Sequence, residues 1–472
     1  MKRVSLLKPL KTTVMGLALG GMLAGPSVGF AETLNEALTA AYNHSGLIQQ
    51  NRALLRAADE DVAIAAAALR PIINWSIAAG REFGKATTRS VLDGSYNTRY
   101  NTSDTVSAGL SFEWLLFDGG VQAKLRDVQK QVVLATRQDL ILAEQQILGS
   151  AVSAYLSVSQ DEQIVAIREN NVALIKEELR AAQDRFEVGE ITRTDVALAE
   201  ARLAAAQAAL AAAEGQLTAS REEYRAVVGH YPKGLVRPAT VPAGITQLVD
   251  MEDVAMRTHP QMRKLQHQVA AADLTVVAAK RAKVPRLGLS ADYGFNDTLD
   301  SPLKSKGGSV ALGISSTLYR GGEIPARLRQ AIARRDAARA QLIPTRDILR
   351  QNVASAYASL RVAQLAKRAS EDQIKAAQIA FEGLREEAKL GARTTLDVLN
   401  AEQELLNARA GLIQAVTQEY LAAYGILSAA GQLTAKRLGL PVPEYDPAAQ
   451  PKQSPSIPGL DELLTKLGQK PQ

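Results

Sequence analysis

The 472-residue chain carries 55 Lys and Arg against 49 Asp and Glu, a formal net charge of +6. Four of those positive charges lie in the first eleven residues, so the basic balance belongs to the N-terminus and lends no support to nucleic-acid binding. No cysteine is present, which excludes a disulfide framework, a thiol nucleophile and an acylated lipoprotein anchor.

Residues 1–31 read as a secretory signal peptide. Lys2, Arg3, Lys8 and Lys11 form the basic region, a short Leu/Ala/Gly run follows, and small residues end at Ala31. Cleavage there leaves 441 residues and lowers the net charge to +2, because the leader holds four basic residues and no acid. The mature chain has no run of 18 apolar residues, so the sequence predicts no transmembrane helix, and membrane insertion has to use strands.

The remainder is two copies of one unit. SFEWLLFDGG at 111–120 returns as GISSTLYRGG at 313–322, and VGEITRTDV at 188–196 returns as LGARTTLDV at 390–398, both at an offset of 202. The first repeat spans 32–230: helix, β-hairpin at 71–118, long helix, turn at 189–192, helix. The second spans 231–440, with its hairpin at 285–320 and its turn at 391–394. A period this long is a tandem duplication rather than a solenoid repeat.

Between 121 and 188 there is no proline and one glycine, and Leu134, Ile141, Leu148 and Tyr155 recur every seven residues. That predicts a helix about 100 Å long. The matching 322–390 segment predicts another, with a kink or break at Pro344. The heptads continue through Val196, Leu203, Leu210 and Leu217, and through Val398, Leu405 and Leu412, which is the spacing of coiled-coil packing.

Around 71–81, 104–116, 286–296 and 309–318 the pattern changes to period two, with one greasy face and one small, polar face. Each strand is roughly 10–13 residues, the length that crosses a bilayer when tilted. Segments 84–103 and 298–308 read as exterior loops. Four strands cannot close a barrel, and an open edge in lipid leaves backbone groups unsatisfied. The strands therefore have to close with those of other chains, and the pattern leaves two, three or four subunits open. Prolines from Pro441 onward predict a mostly disordered tail over 441–472.

The duplicated strand–long helix–turn–helix order, LLFDGG after a strand and VG-x-x-T-x-x-DV at the turn resemble the TolC family of bacterial outer membrane factors. The resemblance covers the mature chain to about residue 440. It implies a homotrimer that is mainly α with a membrane β-barrel: twelve strands in the outer membrane, four per chain, continued by a long periplasmic α-helical coiled-coil barrel. It implies the exit duct of a tripartite pump, joined by a periplasmic adaptor to an inner membrane ABC or proton-driven pump, set in outer membrane lipid and carrying proteins or small toxic compounds. No cofactor, metal or nucleic acid enters that picture.

The turns are the candidate functional site. Gly189 and Gly391 suit the left-handed conformation that ends a helix. Thr192 and Thr394 are N-cap candidates, and Asp195 and Asp397 stand three residues on, at the capping-box position. The resemblance adds a gate at the periplasmic entrance. Arg393, with Ile191 as its counterpart in the first copy, pairs with Asp195 and Thr194. Asp397 faces the pore, and Asn400 stands where the family has a second carboxylate. Ala388 replaces an aromatic of that gate.

Catalysis has no foothold: His44, His230, His259 and His267 fall in no H-E-x-x-H motif, and no G-x-S-x-G is present. The rival reading is a structural or adhesive coiled-coil trimer anchored by a short barrel.

Overall fold

The structure, a computed structural model, describes residues 31–238, 241–242, 247–299, 302 and 304–443. The signal-peptide and tail readings at 1–30 and 444–472 lie outside the described residues.

Two short helices, α1 (Leu34–His44) and α2 (Gly46–Ala67), open the first half. Thr33 and Glu36 form a capping box on α1, and Ser45 caps α2. The hairpin β1 (Ile72–Arg89) and β2 (Tyr96–Phe117) leads into α3 (Val121–Glu187) and α4 (Arg193–Val228). The second half follows the same order: α5 (Leu248–Thr258) and α6 (Pro260–Arg281), β3 (Arg286–Thr298) and β4 (Lys304–Ser315), then α7 (Glu323–Ala340), α8 (Leu342–Lys389), α9 (Thr395–Ala429) and the short α10 (Ala435–Leu438). His259 caps α6, its Nδ1 accepting from the Gln261 N–H, with Pro260 at the first helical position.

Alanine-rich α4 corrects the expectation about membrane helices. It holds an 18-residue window of mean hydropathy 1.3 and is long and apolar enough to cross a membrane by length and composition. It instead packs along α3, where small side chains let the two axes approach closely.

The four strands form one antiparallel sheet in the order β1-β2-β3-β4, leaving one edge each of β1 and β4 unpaired. Register aligns the greasy positions into rows. Trp75 faces Leu110, which faces Tyr293; Ile73 faces Phe112, Ala291 and Val310; Leu287 faces Ile314. Much of this face is uncovered: Trp75 is 75% and Ile314 76% exposed. The opposite face carries rows such as Asn74, Ser111, Asp292 and Ser309.

The strands correct the predicted lengths. β1 has 18 residues and β2 has 22, so most of 84–103 is hairpin and the turn shrinks to about 90–95. Thr87 and Thr98 hydrogen-bond across this extension, and Arg81 forks onto Asp104 with two 2.6 Å bonds just past the greasy rows. The extension is polar on both faces, so it lacks the alternation that identifies a half-buried strand.

Strand and helix meet at Asp118-Gly119-Gly120. The buried Asp118 carboxylate accepts from the N–H groups of Gly120, Val121 and Gln122, filling the open donors of the 67-residue α3. Gly119 has φ +71°, and a Cβ there would lie 2.7 Å from Val284, in the joint between α6 and β3 of the second repeat. The second long helix breaks at Gln341, three residues before Pro344, because Pro344 has no N–H for the carbonyl of Ala340 and its ring crowds that oxygen.

The main core gathers midway along the helices. Tyr155, fully buried, donates to the carbonyls of Glu32 and Val236, tying the chain's start and the inter-repeat segment to α3. Tyr224 and Leu427 pack in the same cluster.

Candidate functional site

Both helical turns are built the same way. After α3 the Glu190 N–H reaches back to the Arg185 carbonyl at 2.9 Å; after α8 the Ala392 N–H reaches Glu387 at 2.9 Å. Gly189 and Gly391 sit at φ +80° and +76°, and a Cβ at either position would meet nothing within 4 Å, so conformation rather than space requires glycine there.

Thr192 and Thr394 then start the next helices. Thr192 Oγ1 accepts from the Asp195 N–H at 3.4 Å, while Asp195 Oδ2 accepts from the Thr192 N–H at 3.0 Å and hydroxyl at 2.7 Å. The second turn repeats this with Thr394 and Asp397 at 3.2, 3.1 and 2.8 Å. These bonds favour the ionised carboxylates and hold Asp195 and Asp397 below the usual aspartate range. Aspartate thus fills the capping-box role that glutamate more often takes.

The pairing of Arg393 differs from the one implied by the resemblance. Arg393 Nε donates to Glu387 Oε2 at 2.8 Å, on its own turn, and this bond with its charge raises the guanidinium's pKa. Among the described residues no hydrogen bond or ion pair joins Arg393 to Asp195 or Thr194 within one chain. Thr194 is exposed. Glu387 lies six residues before Arg393, back across the bend, so the turn itself brings this acid to the arginine without help from the other repeat.

Arg393, Asp397, Asn400 and Glu404 line one open cleft of about 390 Å³ along α9. Asn400 accepts from Arg202 Nη2 at 2.8 Å, which links the first repeat's α4 to the second repeat's α9. Ala388 is half-buried and packs against the small cluster of Phe381, Val398 and Leu405.

The sequence reading missed Glu402. Its carboxylate is buried where α9 packs on α3 and accepts from Asn171 Nδ2 of α3 at 2.8 Å. Burial pushes its pKa up to about 7, with the Asn171 bond pulling the other way. A signal was present: Glu402 lies on the apolar stripe of α9, three residues after Leu399 and three before Leu405.

A family model described as outer membrane efflux protein matches this chain twice, over residues 37–230 and 253–432. The outer membrane efflux protein BepC of Brucella suis biovar 1 is 37% identical over 450 residues, covering 94% of this chain and 95% of its own. The alkaline protease secretion protein AprF of Pseudomonas aeruginosa is 28% identical over 388 residues, 77% of each chain. A membrane protein of Pseudomonas aeruginosa known from its crystal structure has the same fold, with a TM-score of 0.73 at 19% identity over 84% of this chain and 90% of that one.

Proposed function

The chain belongs to the outer membrane efflux protein family, and from that premise we propose that it is the passive exit duct of a tripartite pump. Its place is the outer membrane, with the helices extending into the periplasm. The carrying observation is the sheet: four strands with a continuous uncovered greasy face and two unpaired edges. Backbone groups at those edges cannot stay unpaired in lipid. Three copies supply twelve strands, and the long helices below continue the wall of the same tube.

Such a tube performs no chemistry; cargo is driven by an inner membrane ABC or proton-driven pump and handed over through a periplasmic adaptor. The named roles of the two relatives, efflux and protease secretion, support small toxic compounds and secreted proteins as the cargo classes. The entrance is the ring of helical turns at 189–192 and 391–394. There Arg393 reaches Asp195 of a neighbouring turn in the assembled ring, exchanging its bond to Glu387, and Asp397 faces the narrowed pore.

Planar-bilayer recording of the purified protein tests the duct. Long-lived unitary conductance is expected. A protein that inserts yet carries no current would instead support the coiled-coil stalk on a short barrel.

A further inference from the structure

Where the sheet meets the helices, a cavity of about 840 Å³ lies between β3, β4, α6 and α7 of the second repeat and the start of α3, with Val121 and Leu125 on that side. Its floor is the alanine-rich end of α6, including Ala272 and Ala279, whose small side chains leave the space open. Its walls carry Arg286, Arg320, Arg327 and Arg334 against one acid, Glu323. Arg320 and Arg327 both pair with Glu323, whereas Arg286 and Arg334 have no hydrogen bond or ion pair among the described residues. Arg327 and Arg334 are spaced by seven on α7 and share one face of it, while Arg320 stands just before the helix.

The duplication supplies an internal control. At the offset of 202, the first repeat has Asp118, Leu125 and Val132 in place of Arg320, Arg327 and Arg334, and at the hairpin start Ile72 stands for Arg286. The first repeat builds the same strand-to-helix joint with none of these arginines. The fold therefore does not require them, and four guanidiniums lining one open space against a single acid leave a positive field that an anion relieves.

We propose that this arginine-walled cleft is an anion-binding site, present in the second repeat and absent from the first, that takes a phosphate- or carboxylate-bearing group. Guanidinium forks match the paired oxygens of such groups. Arg286 pairs with Ser315 across the strands, on the face opposite the greasy row of Leu287 and Ile314. That orientation favours a soluble anion inside the tube, while the position at the foot of the sheet also brings the phosphates of anionic lipid within the same chemistry. All the lining residues belong to one chain; the choice of a soluble anion inside the tube rests on the duct reading, which conductance tests separately from anion binding.

The test uses the mature protein purified in detergent, with inorganic pyrophosphate followed by calorimetry and retained phosphatidylglycerol counted by native mass spectrometry. Arg327→Leu with Arg334→Val installs the first repeat's residues and should weaken pyrophosphate binding at least about tenfold, the scale of losing charge-assisted bonds. Arg327→Lys with Arg334→Lys should retain much of it, and Glu323→Gln should tighten it. If pyrophosphate does not bind but phosphatidylglycerol retention falls about tenfold in the Leu/Val variant, the site stands and its ligand is a lipid headgroup. Absence of both probes from the unsubstituted protein, or equal binding in the Leu/Val variant, overturns the proposal. Should that variant fail to fold, an unchanged affinity in Glu323→Gln overturns it instead.

Discussion

Asn171 of α3 donates to Glu402 of α9 at 2.8 Å, and this buried contact joins helices from the two repeats across 231 residues of sequence. The bond satisfies one lone pair of a carboxylate that is otherwise deprived of water, so its protonation state bears on how firmly α3 and α9 hold together.

The first prediction follows from that pair. Glu402 has its folded pKa raised from 4.5 to about 7, so the native state binds the proton more tightly than the unfolded state. Its stabilising contribution is complete below about pH 4.5 and is lost as pH rises through about 7. The loss is at most about 3 kcal/mol per chain. Thermal melts between pH 5 and 8 should show stability falling across this window, and Glu402→Gln should flatten the fall. A parallel pH profile in the variant shows that Glu402 is not the group.

Helix caps set the second. Thr192→Ala and Thr394→Ala each remove a capping-box hydroxyl and should destabilise their hairpins by about 1 kcal/mol. Gly391→Ala should cost a similar amount through its φ of +76°, despite the open space around it. Hydrogen exchange at the two turns should rise in all three variants while the core around Tyr155 stays protected.

The third concerns the entrance. The Arg393–Glu387 pair is exposed and screened by solvent, so exchanging it for a bond to Asp195 across the ring costs little. Arg393→Ser with Asp195→Ala should raise single-channel conductance and antibiotic leakage without lowering assembly yield. Unchanged conductance would confine Asp195 to its cap. Asp397→Asn should separately weaken cation preference, since carboxylates ringed about a constriction concentrate counter-ions.

Assembly is the fourth. Light scattering corrected for detergent should give three chains per particle. A stable folded monomer would contradict the shared barrel, because β1 and β4 would then carry open edges in lipid.

Topology is the fifth. Ser95, in the turn of the long hairpin, and Ser305, near the start of β4, should accept label from outside intact cells when changed to cysteine. Glu190, at the far end of a helix about 100 Å long, should not.

Local periodicity and turn chemistry were legible in the residues. Heptads such as Leu134–Ile141–Leu148–Tyr155 encode a continuous helix because apolar spacing fixes which face is buried whatever the neighbour. The Gly-x-x-Thr-x-x-Asp phrase encodes a left-handed stop and a capping box because all its partners lie within five residues. Alternation marked the strands only where one face is greasy, which is why 84–89 and 96–103, wet on both sides, escaped it.

The sequence by itself determined the repeated unit, its helices and turns, and the membrane-length greasy strands, since each depends on contacts a few residues apart. Tertiary structure alone decided what long-range packing decides: the register that lines Leu110 of one hairpin up with Tyr293 of the other, the Arg202–Asn400 contact, and the Asn171–Glu402 bond. In those cases several partners satisfy the same local chemistry, and only the packing of distant helices and strands brings one into reach.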